Sequence, residues 1–122
     1  MTIYLTKEQI IRINKEVGAD GTLVNEGNLE FIVSKVQSLK ADINHKAAIY
    51  LYEIINMHPF LDGNKRTGFI SAVLFLELNG LKLAIRPSEK DTLERFIYEI
   101  SQNKLGIEKL TKFIKKSVQN EG

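Results

Sequence analysis

His58-Pro59-Phe60-Leu61-Asp62-Gly63-Asn64-Lys65-Arg66-Thr67-Gly68 runs straight into Phe69-Ile70-Ser71-Ala72-Val73-Leu74-Phe75-Leu76-Glu77-Leu78-Asn79-Gly80, and the junction of the two strings decides how the chain is read. The first string concentrates an imidazole, a carboxylate, an amide and two cations; no other stretch is comparable. The second is rich in helix formers, apolar on nearly every side, and ends in Asn79-Gly80, a left-handed stop. The pattern predicts a loop opening a central, buried helix over about residues 65–78. Unpaired backbone N–H groups and the positive end of the helix dipole then face the loop. Acidic side chains usually occupy such a first turn. Lys65 and Arg66 stand there instead, and a bound phosphate relieves their repulsion most simply.

Working outward, the segment before the loop carries Ala47, Ala48, Leu51, Ile54 and Ile55 at helical spacing from about Asn44 to Met57. Before it, Leu29, Ile32, Val33, Val36 and Leu39 mark a helix starting after Asn28. Thr6 with Gln9 forms a capping-box pattern for a first helix with Ile10, Ile13 and Val17 on one face, stopping at Gly18; residues 20–27 are a polar loop. Beyond Gly80, Leu81 to Ile85 reads as a short extended stretch. Ser88 is the expected cap of a helix carrying Leu93, Phe96, Ile97 and Ile100. A last helix, about Ile107 to Val118, sets Leu110, Phe113 and Ile114 against a lysine face. The expectation is an all-α bundle wrapped around the helix at residues 65–78, in a single domain spanning 1–122.

Composition sets the outer limits. At 43% hydrophobic and 26% charged residues, the chain has ordinary globular proportions. Seventeen basic against fifteen acidic side chains leave a formal charge of +2, too small a bias to argue for nucleic acid. The lysines of the last helix read as a solvated face. The absence of Cys removes disulfides, thiolate zinc sites and cysteine nucleophiles together. No secretion signal or bilayer-spanning stretch is visible, so a cytoplasmic protein without membrane contact is expected. His45 and His58 are the only histidines, and His45 reads as a surface or capping residue.

Each side chain of the loop suits phosphoryl or nucleotidyl transfer. Asp62 offers a single carboxylate to Mg²⁺ held otherwise by water and phosphate oxygens, although Asp is also an ordinary helix cap. Arg66 presents a planar fork for two phosphate oxygens and Lys65 a point charge. His58 can remove a proton from a hydroxyl group, and Gly63 allows backbone to approach a phosphate. The order of residues is not a Walker A loop. Zinc is disfavoured, because Pro59 and Gly63 spoil a helical His58–Asp62 pair and a third strong ligand is missing.

HPFLDGNKRTG, residues 58–68, resembles the signature of the Fic/Doc (Fido) family, H-P-F-x-[DE]-G-N-[GK]-R, at every fixed position. The flanking helices and the Leu-Asn-Gly ending at residues 78–80 resemble the Doc, or death-on-curing, branch. The resemblance implies a Fido-type helical bundle with a short β-hairpin flap. It also implies His58 as general base for a protein hydroxyl, Asp62 as Mg²⁺ ligand, Gly63, Asn64, Lys65 and Arg66 as a phosphate cradle, and Phe60 among the ATP-binding residues. Lys65 and Phe69 stand where AMP-transferring Fic enzymes have Gly and a second Arg, and both changes resemble Doc. Gly63 stands where Doc has Ala, and Pro59-Phe60 is the Fic wording. The segment from Val36 to His58 is shorter than in Doc. A Doc-like protein moves the terminal phosphate of ATP to a hydroxyl of a translation elongation factor, as the toxin of a toxin–antitoxin pair. AMP transfer is the alternative. A non-catalytic nucleotide- or protein-binding module is an alternative of another class. Thr22 to Gly27 and Ser117 to Gly122 both match the loose inhibitory pattern S/T-x-x-x-E-G/N of some Fic proteins. The arginine that pairs with the inhibitory Glu there is Phe69 here, so chance matches and a separate antitoxin are expected.

Overall fold

The computed structural model describes residues 1–120. Along them run α1 (Lys7–Glu16), α2 (Glu26–Ser38), α3 (Ile43–Met57), α4 (Asn64–Leu78), β1 (Leu81–Leu83), a 3-10 turn at Pro87–Glu89, α5 (Lys90–Ser101), α6 (Ile107–Ser117) and β2 (Val118–Asn120). The expected helical bundle forms, with a short antiparallel strand pair beside it. Its strands are far apart in sequence: Leu81 faces Asn120, Lys82 faces Gln119 and Leu83 faces Val118. The pair fastens the end of α6 to the segment leaving α4, and the Ala84 N–H extends it by donating to the Ser117 carbonyl at 2.8 Å.

The axis of the core is α3, not α4. Lys46 through Leu51 and Glu53 through Ile55 are buried without a break except at Tyr52, and α3 packs against α2, α4, α5 and α6. The buried face of α4 is made of small and polar residues, Asn64, Thr67, Gly68, Ser71 and Ala72, followed by Phe75 and Leu76. Its larger apolar residues Phe69, Val73 and Leu74 are half-buried and Ile70 is exposed. The small residues let α4 come close to α3. A Cβ on Gly68 would lie 3.1 Å from the Leu51 carbonyl oxygen. Apolar composition all round α4 therefore misstated which helix the others surround.

Local chemistry accounts for the boundaries. Thr6 and Gln9 make the reciprocal cap, with Gln9 N–H donating to Thr6 Oγ1 at 3.1 Å and Thr6 N–H to Gln9 Oε1 at 2.8 Å. α2 begins a turn earlier than its apolar pattern predicts, because the Asn25 side chain accepts the Asn28 N–H at 3.1 Å and caps it. Ser88 does not cap α5. It lies inside the 3-10 turn that follows Pro87, and α5 opens at Lys90 without a side-chain cap. The amino-terminal segment is tied down by Asn79, whose amide pairs with both Ile3 N–H (2.8 Å) and Ile3 C=O (2.9 Å). Tyr50 sits beneath it, accepting the buried Leu5 N–H at 3.1 Å and packing on Phe75 with ring centroids 5.1 Å apart. Among the described residues no helix is long and apolar enough to cross a membrane.

Candidate active site

The loop between α3 and α4 is held in an irregular path by partners on three sides. His58 ends α3 in the left-handed region (φ 48°, ψ 59°), which costs a residue with a Cβ roughly 1–2 kcal/mol. The carbonyl before it, on Met57, accepts from Asn28 Nδ2 at 2.7 Å. Residues 22–25 run antiparallel to the loop: Val24 N–H and Asn25 N–H donate to the Pro59 carbonyl (2.9 and 3.1 Å), and Leu61 N–H donates to Thr22 C=O (2.9 Å). At the far end Asn14, 1% exposed on the apolar face of α1, donates to the Asp62 carbonyl (2.8 Å) and the Thr67 hydroxyl (3.0 Å). Its Oδ1 accepts the Gly21 N–H at 2.9 Å.

Gly63 is the N-cap residue of α4, at φ 78°. A Cβ there would lie 3.2 Å from both Ala19 Cβ and Asn14 Nδ2, so glycine serves the sharp turn and the close packing together. No side chain caps the helix, and its first turn holds no acidic residue. Asp62 therefore does not take the capping role that sequence alone left open. The first N–H groups of α4 are left without a side-chain acceptor, beside two cations.

A cavity of about 630 Å³ opens on this helix end. His58, Asp62, Gly63, Asn64, Lys65 and Arg66 all line it, so six of the seven residues singled out from the sequence share one hollow. Phe60 is the exception. Its ring is fully buried beneath the loop and reaches no part of the cavity, so it anchors the loop instead. Asn64 also spends its side chain on the loop: Oδ1 accepts the Phe60 N–H at 3.0 Å and Nδ2 donates to the Phe60 carbonyl at 2.8 Å. His58, Asp62, Lys65 and Arg66 are exposed to the hollow, and among the described residues none of the four is in an ion pair. The Lys65 ammonium lies over the Tyr98 ring, 5.7 Å from its centroid.

Three features here had no counterpart in the sequence reading. The wall opposite the helix end is the turn Ser101-Gln102-Asn103 after α5, with Asn103 left-handed at φ 58°. The brace of residues 22–25 comes from what reads as a polar loop. Asn14 and Asn28 were also unassigned; of these only Asn14 left a trace in the sequence, as a polar residue between Ile13 and Val17 on an apolar face.

The remaining candidates sit elsewhere. His45 is half-buried, its Nδ1 3.0 Å from Thr111 Oγ1, and it links α3 to α6. Glu26, the acid of the first inhibitory-like string, pairs with Lys7 in the first turn of α2 and does not line the cavity. Glu121 and Gly122, which complete the second string, lie outside the described residues. Phe69 faces an adjoining apolar hollow of about 440 Å³ between α4 and α5, beside Ile70 and Ile97.

The donor set fits magnesium better than zinc. One exposed carboxylate stands at the helix end, and among the described residues no three His, Cys, Asp or Glu side chains cluster. Mg²⁺ is held by one or two carboxylates together with phosphate and water oxygens, whereas zinc takes a fuller protein shell.

Comparison with known proteins agrees with the motif. Residues 4–76 match the sequence profile described as Fic/DOC family. "Toxin Doc" of Mycolicibacterium smegmatis is 31% identical over 91 residues, covering 69% of this chain and 70% of that protein. "Protein kinase doc" of Escherichia phage P1 is 32% identical over 98 residues, covering 72% and 77% respectively.

Proposed function

The chain belongs to the Fic/DOC family, and from that premise we propose that it is a Doc-like toxin that transfers the terminal phosphate of ATP to a hydroxyl group of a protein. The observation that carries this reading is the uncapped, acid-free start of α4, where Lys65 and Arg66, in no ion pair among the described residues, share a cavity with His58 and Asp62. Two cations held at the positive end of a helix are a poor arrangement in an empty protein and a good one around a polyphosphate. The names of the relatives, a toxin and a protein kinase, point the same way.

In this reading the β- and γ-phosphates of ATP lie against the first N–H groups of α4, with Arg66 on two oxygens and Lys65 on a third. His58 accepts the proton of the target hydroxyl as its oxygen bonds to the γ-phosphorus. The bond from that phosphorus to the β–γ bridging oxygen breaks, and ADP leaves. Asp62 is the residue that would hold Mg²⁺, which supplies charge neutralisation on the phosphates when bound. The target is a cytoplasmic protein, with a translation elongation factor as the first candidate, and a cognate antitoxin restrains the activity. Residues 1–122 act as one domain.

AMP transfer is the second reading, supported by Pro59-Phe60 and Gly63, which follow the Fic wording. Phe69 speaks against it: where the AMP-transferring enzymes place a second arginine, this chain turns a phenyl ring toward an apolar hollow. Parallel incubation of cell extract with γ-labelled and α-labelled ATP decides. Label from the γ position on a target is the expected result, and label from the α position overturns the kinase reading in favour of AMP transfer. His58→Ala tests the non-catalytic alternative. The variant should bind ATP and lose toxicity; retained toxicity sinks the enzymatic reading.

A further inference from the structure

The loop carries its chemistry at its two ends, His58 where α3 stops and residues 62–66 where α4 starts, and each end is fastened by one asparagine from outside the motif. At the first end, the Met57 carbonyl is one of the acceptors that α3 leaves without an intrahelical donor. Asn28 Nδ2 supplies the donor at 2.7 Å, directly before a residue in a left-handed conformation. At the second end, Asn14 uses both Nδ2 hydrogens, on Asp62 C=O (2.8 Å) and Thr67 Oγ1 (3.0 Å), and its Oδ1 on Gly21 N–H (2.9 Å). A buried amide is costly unless fully paired, and Asn14 is paired at every site it has close geometry for.

The middle of the loop separates the two fastenings. Phe60 is buried, and both its backbone groups are clasped by Asn64. Pro59 and Leu61 are pinned to residues 22–25. A disturbance at Met57 thus meets a fixed segment before it reaches Gly63, and the same holds in reverse.

We infer that Asn28 and Asn14 are independent positioning residues, Asn28 aiming His58 and Asn14 setting the anion-binding arm of residues 62–66. The inference rests on the proposed reading of His58 as base and of that arm as the phosphate site. A misplacement of about 1 Å at a reacting group can cost on the order of 100-fold in rate, so the two ends should fail differently. Loss of the Asn28 donor should lower kcat at least ~10-fold and leave the KM for ATP within about twofold. Loss of Asn14 should raise that KM by ~10-fold or more, with the smaller effect on kcat.

The test uses the full chain and two readouts. Asn28→Leu and Asn14→Ala remove the donors, and Asn28→Ala and Asn14→Ser serve if either first variant does not fold. NMR without nucleotide comes first. Asn28→Leu should move the His58 imidazole resonances and spare the amides of residues 63–67. Asn14→Ala should do the opposite, and His45, at the other end of α3 and bonded to Thr111 of α6, is the internal reference. Steady-state transfer then reads the kcat and KM split. His58 resonances unmoved by loss of Asn28, or both ends shifting in both variants, overturn the inference. The NMR arm needs no turnover, so absence of any transfer by the wild-type protein counts against the proposed reaction alone.

Discussion

Gly63→Ala isolates what the turn into α4 demands, because the same chain contains a matched control. Gly63 and Gly80 have nearly identical backbone angles, φ 78° and 79°, but a Cβ on Gly80 meets nothing within 4 Å. On Gly63 it meets Ala19 Cβ and Asn14 Nδ2, both at 3.2 Å. The left-handed conformation costs alanine about 1–2 kcal/mol, partly offset by about 0.4–1 kcal/mol from the stiffer unfolded chain. Gly80→Ala should therefore destabilise by about 0–1.6 kcal/mol. Gly63→Ala carries the same balance plus the crowding, which falls on the Ala19 methyl in the bend after α1 and on the Asn14 amide, already bonded on both sides. Overpacking of this kind costs roughly 1–3 kcal/mol, so Gly63→Ala should lose about that much more than Gly80→Ala. With ~2–8 °C of Tm per kcal/mol for domains around this size, thermal denaturation followed by circular dichroism separates the two variants easily. Equal Tm losses in the two would refute the assignment of Gly63 to close packing and leave backbone conformation as its whole role.

Burial pushes the Tyr50 hydroxyl from its ordinary value of 10.0 up to about 12. Its neutral form is favoured in the fold, so this stability is intact below pH 10 and lost as pH rises from 10 through about 12; Tyr50→Phe should blunt that alkaline loss in a pH series of urea titrations. At neutral pH the same variant leaves the buried Leu5 N–H unpaired, and a loss of about 1–3 kcal/mol is expected. Hydrogen bonds from Arg86 and then Lys116 hold the Glu89 carboxyl down at about 2 instead of 4.5. Its contribution is present above pH 4.5 and disappears as pH falls through about 2, so Glu89→Gln should destabilise slightly at pH 7 and much less at pH 2 by thermal melts. ATP with Mg²⁺ at 100 times its Kd should stabilise the protein by about 2.7 kcal/mol. Arg66→Ala, if it weakens binding ~10-fold, should roughly halve that gain at the same concentration, and an undiminished shift in differential scanning fluorimetry would remove Arg66 from the phosphate site.

Helical periodicity made most of the fold legible, because amphipathic segments such as α1, α2 and α6 state their buried face in their own spacing. Relative placement was less legible. α4 is apolar on nearly every side, yet Gly68, Ser71 and Ala72 are at the centre of its buried face while Phe69, Val73 and Leu74 are only half-buried, since closeness between helices favours small side chains and periodicity records only polarity. Strand β2 was invisible for a related reason: Val118-Gln119-Asn120 has no extended pattern of its own and is strand only where β1 lies beside it. In the site, contiguity decided what could be read. His58 to Arg66 are adjacent in sequence and announce themselves, whereas Asn14, Asn28 and the wall at residues 101–103 arrive through tertiary structure. Phe60 shows the converse limit, a motif residue whose place in the string said nothing about whether it faces the cavity or the core.

The choice of neutral side chains around the loop has an electrostatic consequence. Among the described residues, Asn14, Asn25, Asn28 and Asn64 make the side-chain hydrogen bonds that shape the path from Met57 to Thr67 or cap the helix beside it. A carboxylate could accept hydrogen bonds but could not donate those that Asn14, Asn28 and Asn64 make, and its charge would repel an incoming phosphate. A lysine or arginine could donate equally well, but it would add to a repulsion that α4 already bears at its positive end. Amides fix geometry without changing the charge of the cavity, so the loop is braced while its two cations and one carboxylate form no ion pair among the described residues. The stability that this open electrostatic arrangement forgoes is supplied at a distance, by the packing of α3 against four other helices.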